Sequence, residues 1–279
     1  MAVDLHLHSS ASDGTDAPET VVRKAADLSL TAIALTDHDT LSGVPAAQQA
    51  AREHGIELIP GVELSVDHHD VKIHMLAYFI EPISGPLQDR LEALRGGRGV
   101  RNYEIVKRLR DMGHEITIDD VLAHARGDAV GRPHIADALV AIDAAADRAE
   151  AFRELLGDGR PAYVERDRLT AIQAIELTAA SGGVTSIAHP LTINPGNSTL
   201  QSLFTELRDV GLGGLEAYYP EHPPHIRTQL AEIAADLDLA ATGGSDYHGA
   251  GKPHLQIGIG KGDLVVPDRA LEELRSRRP

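Results

Sequence analysis

Nine residues with metal-ligand chemistry fall at the ends of apolar runs along the chain: His6, His8, Asp13, His38, Glu63, His74, His189, Asp246 and His248. His6 and His8 lie two positions apart in "VDLHLH". Residues i and i+2 of a strand face the same side, so both rings can reach one ion. Asp246 and His248 repeat that spacing in "GGSDYH", where the glycines can bend the segment. The chain has no cysteine, which removes thiolate zinc sites, disulfides and cysteine nucleophiles. Imidazole and carboxylate donors suit zinc, manganese or iron. Nine donors exceed what one tetrahedral or octahedral ion accepts, so the set reads as two to three divalent metal ions sharing bridging carboxylates. A lone strand histidine is usually a hydrogen-bonded core residue. Six histidines and three carboxylates left buried and unpaired would each cost several kcal/mol, a cost that metal binding removes.

The elements that must position these groups alternate between short apolar runs and amphipathic stretches. "VDLHLH", "TAIALTD", "IELIPGVELSV", "VKIHMLAYFI", "VTSIAH", "GLEAYY" and "LAATGGSD" read as strands. "PETVVRKAADLS" and "GVPAAQQAAREHG" read as helices, the first opened by proline and the second closed by glycine. The "VDHHD" turn predicts a hairpin, with His68 and His69 solvated in it. Between 96 and 166 the strand signal fades into helical stretches such as "RNYEIVKRLRDMG" and "RPHIADALVAI". This predicts a helical insertion over 96–166 in an α/β barrel built from 1–95 and 167–279, a distorted TIM-like (β/α)7 arrangement. In such barrels the active site lies at the carboxyl ends of the strands, where the nine residues sit.

With 279 residues, 42% of them hydrophobic, the chain can bury one barrel-sized core. A net charge of −16 argues against duplex DNA or an anionic membrane surface as a partner. No apolar run approaches membrane-spanning length, and a first strand beginning at residue 2 leaves no room for a signal peptide, so a cytoplasmic location is expected.

"DLHLHSSASDG", "LTDHD", "GVELS", "IAHP" and "GSDYH" resemble, in order, the motifs of the PHP superfamily, the polymerase and histidinol phosphatase metallo-phosphoesterases. The insertion's "RGGRGVRN", "GRPHIADAL" and "GRPAYV" are similar to the subgroup of nucleoside 3′,5′-bisphosphate phosphatases and 5′-nucleotidases. The resemblance implies that His6, His8, Glu63 and Asp246 hold one ion. Glu63 would bridge to a second bound by His74 and His189, and Asp13, His38 and His248 would hold a third. Asp13 stands where several relatives carry histidine, which softens that site toward manganese or iron.

A phosphate monoester carries two negative charges and resists attack by water, so ions that neutralise its oxygens and activate a bridging hydroxide suit this donor set. The expected reaction is in-line hydrolysis of a nucleotide phosphomonoester, with Asp246, Glu63 and His248 in catalytic roles and a third ion stabilising the leaving oxygen. Arg98, Arg101 and Asn102 share one helical face, and Arg132 and His134 flank a proline at a helix start. These five are the expected phosphate-binding residues, with Arg95 and His222 as weaker candidates. The alternatives are 5′–3′ exoribonuclease action on short RNA ends, a histidinol-phosphate-type metabolite phosphatase, and a non-catalytic scaffold.

Overall fold

The computed structural model describes residues 2–279 except 70, 126–129, 166, 195 and 197–198, and all their side chains except that of Arg98. Among the described residues the strands are β1 (Val3–Leu7), β2 (Ala32–Leu35), β3 (Glu57–His68), β4 (Val71–Tyr78), β5 (Leu169–Thr170), β6 (Val184–Ile187), β7 (Gly214–Tyr218) and β8 (Ala240–Gly243). The helices are α1 (Pro18–Asp27), α2 (Val44–His54), α3 (Pro86–Asp111), α4 (Ile118–Ala123), α5 (Arg132–Ala141), α6 (Arg148–Ala151), α7 (Ala171–Ala180), α8 (Leu200–Asp209), α9 (Pro224–Asp236) and α10 (Arg269–Ser276).

The strands follow the order β1-β2-β3-β4-β6-β7-β8 in one curled sheet, with β5 paired to β3. All neighbours are parallel except the two that flank β4. The hairpin read from "VDHHD" is β3–β4, with His68 opposite Val71. Beyond β8 the chain returns to β1, where Asp246 N–H donates to His6 O at 2.9 Å and His8 N–H to Tyr247 O at 3.0 Å. This TIM-like curl of mixed α/β elements agrees with the expected fold class. After β8, Gln256 meets Gly260 across a tight turn.

Side chains alternate along β1, with Val3, Leu5 and Leu7 in one series and Asp4 and His6 in the other. Val3 and Leu5 join a core with Ile59, Leu76, Tyr78 and, from α10, Leu271 and Leu274. Leu7 joins a second core with Val21 and Val22 of α1, Ile33 and Leu35 of β2, and Ala47 of α2. Asp4 and His6 occupy the intervening positions and are also fully buried. Gly244 permits the return to β1, because a Cβ there would meet His6 N at 2.3 Å and His6 Cβ at 2.4 Å.

The chain divides into two compact units, Met1–Asp89 with Arg168–Pro279, and Arg90–Asp167. The second has its own core, including Ile105, Leu109, Ile116, Val121, Ile135, Leu139 and Leu156. The expected boundary at residue 96 falls inside α3, which continues through Gly96, Gly97 and Gly99. Glycine costs a helix about 1 kcal/mol relative to alanine but, unlike proline, leaves the backbone bonding intact. Among the described residues no helix is long and apolar enough to cross a membrane.

Candidate metal centre

His6 and His8 leave the end of β1 with their Nε2 atoms 3.1 Å apart. Both rings face Glu63 Oε2, at 3.1 and 3.0 Å, and Asp246 Oδ1, at 3.5 and 3.3 Å. Metal–ligand bonds of about 2.1 Å place donors roughly 3.0–3.4 Å apart along the edges of octahedral and tetrahedral shells. The four donors already lie close to that spacing.

Glu63 sits in mid-β3 and turns its other oxygen the opposite way. Oε1 lies 2.9 Å from His74 Nδ1 and 3.0 Å from His189 Nε2. His74 pairs with Ser65 across the hairpin, diagonal to Glu63, and His189 follows β6 with φ at +27°. His38 arrives because the chain beyond β2 continues beside β3, where Asp39 N–H donates to Glu63 O at 2.9 Å. Its Nδ1 is 3.4 Å from Glu63 Oε2 and its Nε2 is 3.8 Å from Asp13 Oδ2. Asp13 Oδ1 lies 3.3 Å from His248 Nε2 and 3.7 Å from His8 Nδ1. The sequence candidates therefore meet as three groups: His6, His8, Glu63 and Asp246; His38, Glu63 and His74; and His8, Asp13, His38 and His248. His189 joins the second through Glu63.

Two buried ring nitrogens, His8 Nδ1 and His38 Nδ1, have no hydrogen-bond partner. That is a costly arrangement for polar atoms, and with the donor spacing it means that divalent cations fit these residues. The electrostatics agree. Burial works against the Glu63 anion, yet His38, His6 and His189 hold its carboxyl well below the usual range. Asp246 is likewise held low despite burial, by His6, His8 and His248. Burial also opposes the His8 cation, but hydrogen bonds to Asp246 and Glu63 push its pKa up to about 9. His38 shows the reverse, with burial lowering it to about 4 against the pull of Glu63.

A supporting layer absent from the sequence reading orients these groups. Glu216, fully buried on β7, accepts from His6 Nδ1 at 2.9 Å through Oε1 and from the His189 backbone N–H at 2.5 Å through Oε2. His6 thus presents Nε2 to the donor set, the usual way a carboxylate directs a ligating histidine. Asp246 reserves Oδ1 for the histidines, because Oδ2 accepts from Tyr219 Oη at 2.9 Å and Lys252 Nζ at 2.5 Å. Burial and Asp246 push the Tyr219 hydroxyl far up, so it stays a donor. Asp37 accepts from Ser9 N–H, Ser9 Oγ and Ser12 Oγ, bracing the loop that carries Asp13. Asp4 accepts from the backbone N–H groups of His6, Ser245 and Gly258, and burial raises its carboxyl to about 6. A charged residue inside an apolar strand was the available signal for Glu216. Lys252 carried none.

The inserted unit gives the expected phosphate-binding residues mixed surroundings. Arg101 donates to Val164 O at 2.8 Å. Arg132 donates to Leu156 O and Asp158 Oδ1, both at 3.0 Å, and lies over the Phe152 and Tyr163 rings. His134 Nδ1 accepts from Gly131 N–H at 3.1 Å. Asn102 is buried and its amide donates to Val130 O at 3.0 Å, so it braces the approach to α5. The side chain of Arg98 lies outside the described residues. Of the weaker candidates, Arg95 pairs with Glu92 on its own helix and His222 is buried against Tyr219. His68, expected in solvent, is buried at the end of β3 because it continues the inward-facing series of Leu64 and Val66.

Comparison with known proteins follows the same lines. The PHP domain family matches residues 4–160. A 5′-3′ exoribonuclease of Haemophilus influenzae is 35% identical, over 95% of this chain and 96% of its own length. A 3′,5′-nucleoside bisphosphate phosphatase of Chromobacterium violaceum is 30% identical, over 92% and 90%. A solved structure from Bifidobacterium adolescentis, described as a candidate metal-dependent phosphoesterase, superimposes with a TM-score of 0.81 at 34% identity, covering 99% of this chain and 96% of that one. With the family model matching more than half of the chain, the chain belongs to the PHP domain family and is a hydrolase of phosphate esters.

Proposed function

We propose that this protein removes phosphate from a nucleotide, a nucleoside 3′,5′-bisphosphate or 5′-monophosphate, by in-line attack of water on phosphorus. The observation that carries the reading is the division of Glu63, with Oε2 turned to His6 and His8 and Oε1 to His74 and His189. A carboxylate shared in this way suits a multi-ion phosphoesterase centre. His6, His8, Glu63 and Asp246 would hold one ion, Glu63, His74 and His189 a second, and Asp13, His38 and His248 a third. Bound divalent ions supply neutralisation of the phosphate charge and activation of water.

The chain's own residues set the geometry. Glu216 fixes His6, and Asp246 orients the attacking water, held in place through Tyr219 and Lys252. His248 and Asp13 form the donor set on the leaving-group side. Phosphate recognition is assigned to Arg98, Arg101, Arg132 and His134 of the inserted unit, with Asn102 bracing them. The likeness to an exoribonuclease favours a second reading, in which the substrate is the 5′ end of a short RNA.

One assay separates the two. A bisphosphate nucleotide yields inorganic phosphate under the first reading, whereas a 5′-phosphorylated oligonucleotide yields mononucleotides under the second. Phosphate release that survives in His6→Ala/His8→Ala would refute the assigned centre. Arg132→Ala is expected to raise KM for the bisphosphate about tenfold, the scale of one lost charged contact, and an unchanged KM would remove the inserted unit from recognition.

A further inference from the structure

A second donor cluster lies at the carboxyl end of the strand that carries Glu63. His68 closes β3, His69 begins the turn to β4, and Glu206 lies on α8. His68 Nε2 and His69 Nε2 each sit 3.3 Å from Glu206 Oε1, and the three donor atoms all lie within 4.8 Å of one another. The two imidazole centroids are 4.4 Å apart.

Consecutive residues of a strand point to opposite faces, so neighbouring histidines do not ordinarily converge on one atom. Here they do, because His69 adopts φ of +50°. That left-handed conformation is unfavourable for a residue with a Cβ, and it swings the second ring round to the first. His68 is only 4% exposed, yet its Nε2 has no hydrogen-bond partner and faces the cluster. A buried ring nitrogen without a well-formed hydrogen bond, aimed at a solvent-accessible carboxylate and beside a second imidazole, is a donor arrangement that a divalent cation can complete.

We propose that His68, His69 and Glu206 bind a divalent transition-metal ion of zinc's class at a site separate from the phosphoesterase centre. Two imidazoles and one carboxylate match the donors zinc takes in three-ligand sites that keep a fourth position open. Magnesium and calcium, which demand oxygen, are poorly served. His68 lies five positions beyond Glu63 along β3, roughly 16 Å of extended chain, too far for shared ligands. The ion joins the β3–β4 hairpin, which carries Glu63 and His74, to α8, and acts as a clasp.

The test uses the full chain with zinc as the probe, through His69→Asn, chosen because asparagine tolerates left-handed backbone, and the exposed, isosteric Glu206→Gln. Each protein is dialysed against the same sub-micromolar free zinc, and bound ions are counted per chain by elemental mass spectrometry alongside phosphate release. The expected result is one zinc fewer per chain in both variants, phosphate release unchanged, and a smaller rise in Tm on adding zinc than in the parent protein. Equal zinc content in parent and variants overturns the proposal. So does a loss of zinc that comes with lost phosphate release, since the missing ion would then belong to the other centre.

Discussion

Replacing Glu216 by glutamine tests whether the metal centre depends on a residue that touches none of the proposed ions. Glu216 is fully buried and accepts two hydrogen bonds, from His6 Nδ1 and from the His189 backbone N–H. Glutamine keeps the shape but has only one acceptor oxygen. If that oxygen stays on the His189 N–H, the amide NH2 faces His6 Nδ1. The imidazole must then either tolerate two opposed donors or move its proton to Nε2, the atom that faces Glu63 and Asp246. The first outcome leaves a buried donor unsatisfied, at about 1–3 kcal/mol, and the second takes from Nε2 the lone pair that it would offer a cation. Removal of such an orienting partner typically weakens metal binding by about 10–100-fold, and the two estimates agree because 1.4 kcal/mol is about one factor of ten. The assay is competition for zinc or manganese against a chelating fluorophore, with phosphate release measured at saturating metal. Glu216→Gln is expected to lose one to two orders of magnitude in affinity and to recover much of its turnover as metal is raised. Affinity equal to that of the parent protein would refute the reasoning, since it would mean that His6 needs no fixed tautomer.

Three further outcomes follow from the geometry. Asp13→Asn removes the carboxylate beside His248 and His38, so elemental analysis should find one ion fewer per chain with the groups around Glu63 still filled. Gly244→Ala drives a Cβ into the His6 backbone and is expected to cost about 1–3 kcal/mol, the range for forced overpacking, read as a lower midpoint in urea without a changed slope. Lys252→Met removes the ammonium 2.5 Å from Asp246 Oδ2 but leaves the Tyr219 bond. Phosphate release should fall while the far-ultraviolet circular dichroism and thermal midpoint stay close to the parent's.

Much of the centre was legible in the residue order, and the reason is local. Strand alternation puts His6 beside His8, and the carboxyl ends of successive strands bring up His38 and His189 without detailed packing knowledge. The hairpin at "VDHHD" was legible too, because a short polar turn between two apolar runs leaves antiparallel pairing as the compact solution. The continuity of α3 through three glycines was not, since glycine weakens a helix without ending it. Asn102 read as a phosphate-binding residue from its helical face, and it is buried with its amide donating to Val130 O.

The amino-acid order by itself determined which donor types are available, that thiolate chemistry is absent, and that the donors gather at strand ends. Tertiary structure alone decided how they divide. Glu63 carries two oxygens whose assignment depends on where β1, β4 and the segment after β6 arrive around it. The bond between His6 and Glu216 joins residues 210 positions apart, and no local pattern marks such a pair. His68 differs from the solvent-facing His69 only through one left-handed turn and the helix that comes to lie beside it. Ligand identity is a property of the residues, while coordination and orientation are set by long-range closure of the sheet.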